Sequence, residues 1–230
     1  HQTPGESRLN LWERNIAIFK DIIKGIVSYA ADAIILIASN PVDLLTAYTI
    51  SEARLPASRI IGSGTILDTA RLRTILGQHL KLAPQSIHAY VLGEHGDSEV
   101  LIWSAALAGN MPLEAYAADV GISLNAEIKN HVDSEVRNSA YKIIVGKGAT
   151  YYGIASGLTR ICKAIAYNEN AILTVSAHQE EVEGAKNICL SLPTVINRNG
   201  ISRVLYPELS ASEHALLRQS AKKIQDYLHS

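Results

Sequence analysis

The stretch Ala33-Ile34-Ile35-Leu36-Ile37-Ala38-Ser39-Asn40-Pro41 decides the fold of this chain. Its first six residues form a continuous apolar run, which is typical of a strand that is buried on both faces of a parallel sheet. After the polar break, the pattern predicts a helix over 44–53, a short strand over 59–61 and another helix from about 67 to 80. This order of strand, helix, strand and helix predicts a doubly wound parallel sheet.

The second half of the chain predicts antiparallel strands beside helices. A strand is predicted over 86–92, and its pattern continues through 99–106. Two further strands are predicted over 172–177 and 187–195, followed by a turn at Asn197-Arg198-Asn199-Gly200. Helices are predicted over 9–28, 115–147, 151–168 and 210–228, the last of them capped by Ser212.

Composition and charge argue against several classes of partner. The 230 residues suffice for one large or two small domains, and the formal net charge of -1 gives no reason to expect nucleic acid or an anionic membrane. No apolar run reaches the ~20 residues that span a bilayer. Cys162 and Cys189 lie in apolar surroundings and form no Cys-x-x-Cys pair, so we expect buried, reduced thiols and a cytoplasmic protein.

A turn around one histidine carries the clearest chemical signal. The run Val91-Leu92-Gly93-Glu94-His95-Gly96-Asp97-Ser98 places His95 among glycines and acidic residues. Glycine lets the backbone turn tightly, and an imidazole with an ordinary pKa of about 6.5 exchanges protons near neutral pH. His95 is therefore a candidate general acid and base. A solvated turn would explain the run equally well, so other residues must decide.

Polar residues on two predicted elements supply candidate partners. Asp68 and Arg71 stand three apart on one predicted helix and share a face, whereas Arg73 lies about 200° around the helix from Arg71 and cannot serve the same small site. A capping box with Thr65 is the alternative explanation of Asp68. Asn40 follows a strand at the edge where open α/β sheets bind ligands, although Asn-Pro is also a common turn.

Motifs spread along nearly the whole chain resemble, in order and neighbours, those of the L-2-hydroxy-acid dehydrogenases, the lactate/malate dehydrogenase family. The resemblance implies a remnant of a Rossmann sheet over residues 1–64, with a substrate-closing loop at 1–8, and an α+β substrate domain over 65–230. The matching motifs are Pro4-Gly5-Glu6-Ser7-Arg8, Asn15, Ser39-Asn40-Pro41-Val42-Asp43, Gly62-Ser63-Gly64-Thr65-x-Leu67-Asp68-x-Ala70-Arg71, Gly93-Glu94-His95-Gly96-Asp97-Ser98, Lys147-Gly148-x-Thr150 and Leu192-Pro193-Thr194.

The resemblance also implies a reaction, in which NAD carries a hydride between a 2-keto acid and a 2-hydroxy acid. His95 would exchange the proton, and Asp68 would orient the imidazole and raise its pKa. Arg71 would bind the substrate carboxylate through a planar fork, and Arg8 would close over the substrate and polarise its keto oxygen. Asn40 would hydrogen-bond near the same keto oxygen or to the nicotinamide. Other implied contacts are Ser63, Thr150 and Ile154 with the nicotinamide end, and Thr150 and Ile154 with the substrate pocket.

Gln2 separates two substrates within the resemblance. Family members that prefer malate carry an arginine at this position, which pairs with the second carboxylate. Gln2 has no charge, and a buried charge left without its partner costs roughly 3–5 kcal/mol. We therefore expect pyruvate and L-lactate as substrates rather than oxaloacetate and malate. An inactive oligomerisation or effector-binding module remains an alternative from a different class.

A second, regulatory site is implied by Arg73 and His88. In similar bacterial family members, an arginine and a histidine at these positions bind fructose 1,6-bisphosphate across a subunit interface. We expect such activation here, in a homo-oligomer that is a tetramer; the alternative is a solvated Arg73 and a His88 that merely packs at an interface. No metal site is expected, because the spacing of His88, His95 and Asp97 suits no standard ligand pattern.

The phosphate-binding part of the cofactor site is not found in this sequence. Members of the family carry a Gly-x-Gly-x-x-Gly loop, and an acidic residue that binds the adenosine ribose, upstream of the position of Gln2. Neither is found in these 230 residues. We expect an amino-terminally truncated enzyme whose residues contact only the nicotinamide end, with little or no NAD binding by itself.

Overall fold

The computed structural model describes residues 8–147 and 151–229, so Gln2 and Thr150 lie outside the described residues. Within them the chain alternates helices and strands in its first half and adds longer antiparallel strands in its second. In chain order the elements are α1 Arg8–Tyr29, β1 Ile35–Ile37, α2 Val42–Ala53, β2 Ile60–Gly62, α3 Ile66–Leu80, β3 Ile87–Leu92, β4 Val100–Ala108, β5 Met111–Pro112, α4 Leu113–Asp119, α5 Ala126–Lys147, α6 Tyr152–Ala166, β6 Ala171–Val182, β7 Ala185–Asn197, β8 Gly200–Val204 and α7 Ala211–Leu228.

The parallel and antiparallel parts of the predicted fold class are both confirmed. Strands β1 and β2 pair in parallel, with Ile35 opposite Ile60, and α2 connects them. Strands β6, β7 and β8 pair antiparallel, and β3, β4 and β5 form a second, three-stranded antiparallel sheet.

The parallel pair and the antiparallel strands share one sheet, in the order β1-β2-β6-β7-β8. The junction between them is a single antiparallel pairing of Gly62 with Ser176. A Cβ atom on Gly62 would lie 2.4 Å from Thr46 Oγ1 and 2.8 Å from the Ser176 Cβ. Glycine at this position therefore lets α2 and β6 approach the carboxyl end of β2 closely.

Helix α3 is fixed firmly against the second sheet. Its buried leucines at positions 72, 76 and 80 recur at helical spacing and pack on Ile87 and Val91 of β3. The opposite end of the helix begins at Ile66, immediately after the carboxyl end of β2. The first turn of α3 is thereby held at the edge of the parallel pair.

Three local predictions were wrong. The long helix predicted over 115–147 is two helices, α4 and α5, because Gly121 adopts a left-handed φ of 72° between them. The cap of α7 is Ser210 rather than Ser212: its hydroxyl accepts from the Glu213 backbone, and the Glu213 side chain accepts from the Ser210 backbone. Cys162 is exposed on α6, whereas Cys189 is buried as predicted. No helix in the described parts of the chain is both long and apolar enough to cross a membrane.

Candidate active site

Three predicted site residues form one hydrogen-bonded group. His95 Nδ1 lies 2.7 Å from Asp68 Oδ2, and the other carboxylate oxygen of Asp68 accepts from Arg71 Nη1 at 3.0 Å. Asp68 lies in the first turn of α3, and its side chain is only 4% exposed, against 26% for that of His95. A buried carboxylate thus separates an imidazole from a guanidinium.

This pairing fixes the tautomer of His95. An ionised carboxylate only accepts hydrogen bonds, so the proton on the bonded nitrogen belongs to Nδ1. The second nitrogen, Nε2, is then the atom that gains or loses a proton.

The electrostatics of the pair favour a charged imidazole. Burial opposes the charge on His95, but the Asp68 carboxylate outweighs it, and with smaller contributions from Asp43 and Glu99 raises the pKa of His95 to about 9. Burial likewise opposes the charge on Asp68, yet His95 and Arg71 hold the pKa of Asp68 below its usual value. The pair therefore stands as an ion pair at neutral pH.

The backbone of the His95 turn is anchored by several elements. The His95 N–H donates to Asp43 Oδ2 of α2 at 2.8 Å, and Gly93 exchanges two backbone hydrogen bonds with Ser191 of β7. The Glu94 N–H donates to Ser220 Oγ of α7 at 2.8 Å. Three elements far apart in sequence thus fix one short turn.

Asp43 is a site residue that the sequence analysis did not single out. It is 3% exposed, and besides the His95 N–H it accepts the Ser176 hydroxyl at 2.6 Å. Burial raises the pKa of Asp43 to about 6 against the effect of these two hydrogen bonds. Its carboxylate joins α2, the His95 turn and β6. A signal was present, because Asp43 belongs to the quoted Asn-Pro-Val-Asp motif.

The capping-box explanation of Asp68 is wrong. Thr65 precedes α3, but its hydroxyl makes no capping bond and instead donates to the Val91 carbonyl at 2.5 Å. This bond ties the start of α3 to the strand that leads into the His95 turn. The Asp68 carboxylate is thereby left for His95 and Arg71.

A second acidic side chain lies behind the pair. Glu99 is 4% exposed, and in the described part of the chain its Oε1 has no hydrogen-bond partner. Asp68, His95 and Glu99 offer ligand atoms within 4.8 Å of one another. The Nδ1 proton of His95 and the Arg71 guanidinium already supply positive charge there, and the absence of a metal stays a prediction.

The residues that were expected to contact nicotinamide lie at the edge of the parallel pair. Asn40 and Ser63 follow β1 and β2, and the Ser63 N–H donates to the Ile37 carbonyl at 2.7 Å. Asn40 stands three residues before Asp43, which binds the His95 turn. The carboxyl ends of such strands are where open α/β sheets bind dinucleotides, and the contact of Asn40 and Ser63 with the nicotinamide stays a prediction.

Two other expected contacts are described only in part. Ile154 is half-buried on α6. A Cβ atom on its neighbour Gly153 would lie 3.3 Å from the Leu67 side chain of α3, so the two helices approach closely at this point. The helix α1 begins at Arg8, and the side chain of Arg8 is not among the described ones. Gln2 and Thr150 lie outside the described residues, and their substrate contacts stay predictions.

Arg73 and His88 lie on a different surface from Arg71. Arg73 Nε donates to the Ala89 carbonyl at 2.9 Å, and its guanidinium lies 4.8 Å from the centre of the Tyr90 ring. Arg73 is half-buried, so it is not simply solvated, and His88, next to Ala89, is exposed. The helical offset that separates Arg73 from Arg71 is thus seen in their different partners.

Comparison with protein families gives two matches that cover nearly the whole chain. Residues 1–62 match the NAD binding domain of lactate/malate dehydrogenases, and residues 65–230 match the alpha/beta C-terminal domain of the same proteins.

Individual relatives agree with these matches. The chain is 50% identical to an L-lactate dehydrogenase of Thermus aquaticus, over 96% of this chain and 71% of that protein. It is 46% identical to that of Geobacillus stearothermophilus, over 99% of this chain and 72% of the relative. The structure of a minor L-lactate dehydrogenase from Enterococcus mundtii matches with a TM-score of 0.93 and 40% identity, over 100% of this chain and 73% of that one. The chain belongs to the lactate/malate dehydrogenase family.

Proposed function

We propose that this chain carries the catalytic group of an NAD-dependent L-lactate dehydrogenase, which interconverts pyruvate and L-lactate. The observation that carries the proposal is the hydrogen-bonded series from His95 through Asp68 to Arg71. The identity to L-lactate dehydrogenases supports the same substrate.

His95 is the proton donor for reduction of the keto acid. Its charged form gives the Nε2 proton to the keto oxygen, while Asp68 stays ionised and holds Nδ1. In lactate oxidation the neutral imidazole takes the hydroxyl proton back. When bound, the nicotinamide of NAD supplies or accepts the hydride, and Asn40 and Ser63 hold this end of the cofactor.

Arg71 binds the substrate carboxylate. A guanidinium has five N–H donors, and the one on Nη1 bonded to Asp68 orients the group. A two-point contact with a carboxylate fixes the substrate in one orientation, which a lysine cannot do. Arg8 polarises the keto oxygen, and Thr150 and Ile154 line the pocket for the methyl group.

Gln2 selects the substrate. Gln2→Arg supplies the cation that a second substrate carboxylate needs, and we expect the ratio of kcat/KM for oxaloacetate to that for pyruvate to rise by about 10²-fold or more. Steady-state NADH oxidation with both keto acids measures this ratio, and Gln2→Asn is the matched control. An unchanged ratio contradicts the assignment of Gln2, and no pyruvate turnover with a complete NAD-binding domain contradicts the proposed function.

The proposal includes a regulatory site and an oligomer. Arg73 on α3 donates to the carbonyl of Ala89, the residue that follows His88 on β3, and the Arg73 guanidinium with the N–H groups of His88 would suit a sugar bisphosphate such as fructose 1,6-bisphosphate. A homotetramer would bring two such pairs together across an interface. Activity at saturating bisphosphate and the mass of the complex in solution test these two points.

The domain division into residues 1–64 and 65–230 is part of the same proposal. The two family matches support it, since they meet between residues 62 and 65. Separate expression of residues 65–230 tests it: a folded product with the His95–Asp68 pair supports the division, and an unfolded one contradicts it.

A further inference from the structure

Glu99 is a buried acid whose position the proposed reaction does not yet explain. It lies between the His95 turn and β4, is 4% exposed, and within residues 8–147 and 151–229 its Oε1 accepts no hydrogen bond. The same carboxyl group lies within 4.8 Å of ligand-type atoms of Asp68 and His95. A buried polar atom without a partner is rare in native proteins and calls for an explanation.

The nearest cation from the neighbouring helix is bound elsewhere. Arg137 of α5 contacts Asp133 through Nε at 2.5 Å and Nη2 at 3.0 Å. Its Nη1 and Nη2 also donate to the backbone carbonyls of Asp97 and Glu99. Arg137 therefore holds the backbone of Glu99, while its charge is largely balanced by Asp133.

The charged groups around Glu99 disfavour a second carboxylate charge. Burial is the largest effect, and together with the charges of Asp68 and Asp133 it raises the pKa of Glu99 to about 8, whereas Arg137 and His95 oppose the rise. Asp68 itself is kept ionised by His95 and Arg71. At neutral pH the group behind the imidazole thus holds one negative charge and one neutral acid.

We propose that Glu99 is a positioning residue for the proposed reaction: it stands as a neutral acid while His95 gives up its proton, and once ionised it strengthens the hold of His95 on that proton. The effect on turnover rests on the proposed function, but the interaction between Glu99 and His95 exists in the folded chain without substrate or cofactor. Because linkage is reciprocal, a proton on His95 also favours the charged form of Glu99.

The consequence differs for the two directions of the reaction. Reduction of a keto acid needs a protonated His95, so ionisation of Glu99 extends this direction to higher pH. Oxidation of a hydroxy acid needs a neutral His95, so the same ionisation shifts the onset of this direction to higher pH. Glu99 thus places a second titration behind the imidazole, which shifts the pH at which the enzyme favours either direction.

The direct test is the titration of His95 in Glu99→Gln, followed by NMR of the imidazole carbon-bound protons. The signal of His95 is identified by its loss in His95→Gln. Glutamine matches the shape of the neutral acid but never ionises, so we expect the pKa of His95 to fall by about one pH unit or more. The matched control is Asp97→Asn, which removes an exposed carboxylate from the same turn and is expected to shift it by less than about 0.3 unit.

A second variant and a second measurement keep the test decisive. Glu99→Met also removes the charge, so the same downward shift is expected. Infrared difference spectra of the wild-type chain between about pH 6 and about pH 10 should contain a band of a protonated buried carboxyl that Glu99→Gln lacks. An unchanged His95 titration in both variants, or the absence of that band in the wild type, overturns the proposal.

The kinetic counterpart separates this inference from the proposed function. With a complete NAD-binding domain, the alkaline limb of kcat/KM for pyruvate reduction should move to lower pH in Glu99→Gln, while values below about pH 7 stay close to wild type. A merely structural role would lower activity at every pH without moving the limb. Activity without a shift contradicts the inference, whereas a shift of the NMR titration without pyruvate turnover contradicts only the proposed function.

Discussion

Glu99 and Glu213 are both buried glutamates beside strand β4, and their surroundings are opposite. Glu213, in the first turn of α7, accepts hydrogen bonds from the backbone N–H groups of Trp103, Ser104 and Ser210 and from the Ser104 hydroxyl. Glu99, which immediately precedes the strand, has an oxygen without a partner in the described chain.

The two pKa values follow the partners rather than the burial. Burial raises both, but the hydrogen bonds of Ser104 and Ser210 lower the pKa of Glu213 to about 2, while the pKa of Glu99 rises to about 8. A carboxylate that the fold surrounds with donors stabilises the fold. The carboxyl group of Glu99, whose Oε1 has no hydrogen-bond partner among the described residues, lies instead beside His95, the proposed proton donor.

The largest effect on activity is expected at Asp68, a third buried carboxylate that shares one feature with each of these two glutamates. Both carboxylate oxygens of Asp68 have hydrogen-bond partners, as those of Glu213 do. Like Glu99, Asp68 lies beside His95. Asp68→Asn leaves His95 without an acceptor of fixed charge, so kcat/KM for pyruvate should fall by about 10²–10⁴-fold. The pKa of His95 should fall as well. Steady-state kinetics across pH measure both, with the exposed Asp119→Asn as control, and activity within about twofold of wild type would contradict the assignment.

Glu213→Gln tests the structural half of the comparison. Gln cannot accept from all the donors around it, and the free energy of unfolding should fall by about 2–3 kcal/mol at neutral pH. Because the folded-state pKa of Glu213 is lowered to about 2, its contribution is fully present above the unfolded value and is lost as the pH falls. The difference between variant and wild type should therefore shrink below about pH 4.5.

Denaturant unfolding measured from about pH 3 to about pH 7 gives this difference, and Glu208→Gln, an exposed glutamate nearby, is the control. A constant difference over the whole range would show that hydrogen-bond geometry, not the carboxylate charge, causes the loss.

Glu99→Gln should change the free energy of unfolding in the opposite direction, which means that it should raise it. The folded-state pKa of Glu99 is raised to about 8, so the folded protein loses stability as the pH rises from the unfolded value toward 8, and the variant avoids this loss. We expect Glu99→Gln to match wild type below about pH 4.5 and to be more stable by about 1–2 kcal/mol above about pH 8. The same unfolding series checks the sign, and a variant less stable than wild type at alkaline pH would break the comparison.

Arg137 and Arg73 differ in their number of hydrogen-bond partners as the two glutamates do. The smallest of the expected effects is that of substituting Arg73. Arg137 is bonded through both sides of its guanidinium, whereas Arg73 is held through Nε on a backbone carbonyl. Under the proposed regulation, wild type should be activated about fivefold by fructose 1,6-bisphosphate in pyruvate reduction, and Arg73→Gln should abolish this activation. Activity with and without the bisphosphate measures it, with Arg203→Gln as control. An unchanged response would remove Arg73 from the effector site.

Much of the fold could be predicted from local patterns. The apolar run 33–38 predicts the parallel strand β1, and helical spacing predicts the ends of α3 and α7 to within one residue. The cap of α7 was also readable, because Ser210 and Glu213 have the spacing of a capping box. The break at Gly121 was missed because apolar residues on both sides continue the helical period, and a single glycine is compatible with a helix.

The site was predictable in type but not in its full membership. Motifs identified Asp68, Arg71 and His95, and the structure brings these three together. Nothing in periodicity or composition marks Glu99, since its proposed role depends on the lack of a hydrogen-bond donor to its Oε1 among the residues that the structure describes. That absence arises only when α3, α5 and the His95 turn meet, and residues far apart in sequence decide it.

The bridge made by Asp43 also limits how this protein can be recombined with its relatives. The carboxylate lies on α2, while the groups that it accepts from, the His95 N–H and the Ser176 hydroxyl, come from the later part of the chain. A chimaera that exchanges the segment before residue 64 must bring an acid at position 43 to orient the His95 turn. An exchange that lacks it would keep His95, Asp68 and Arg71 and still leave the His95 turn without the carboxylate that accepts its backbone N–H.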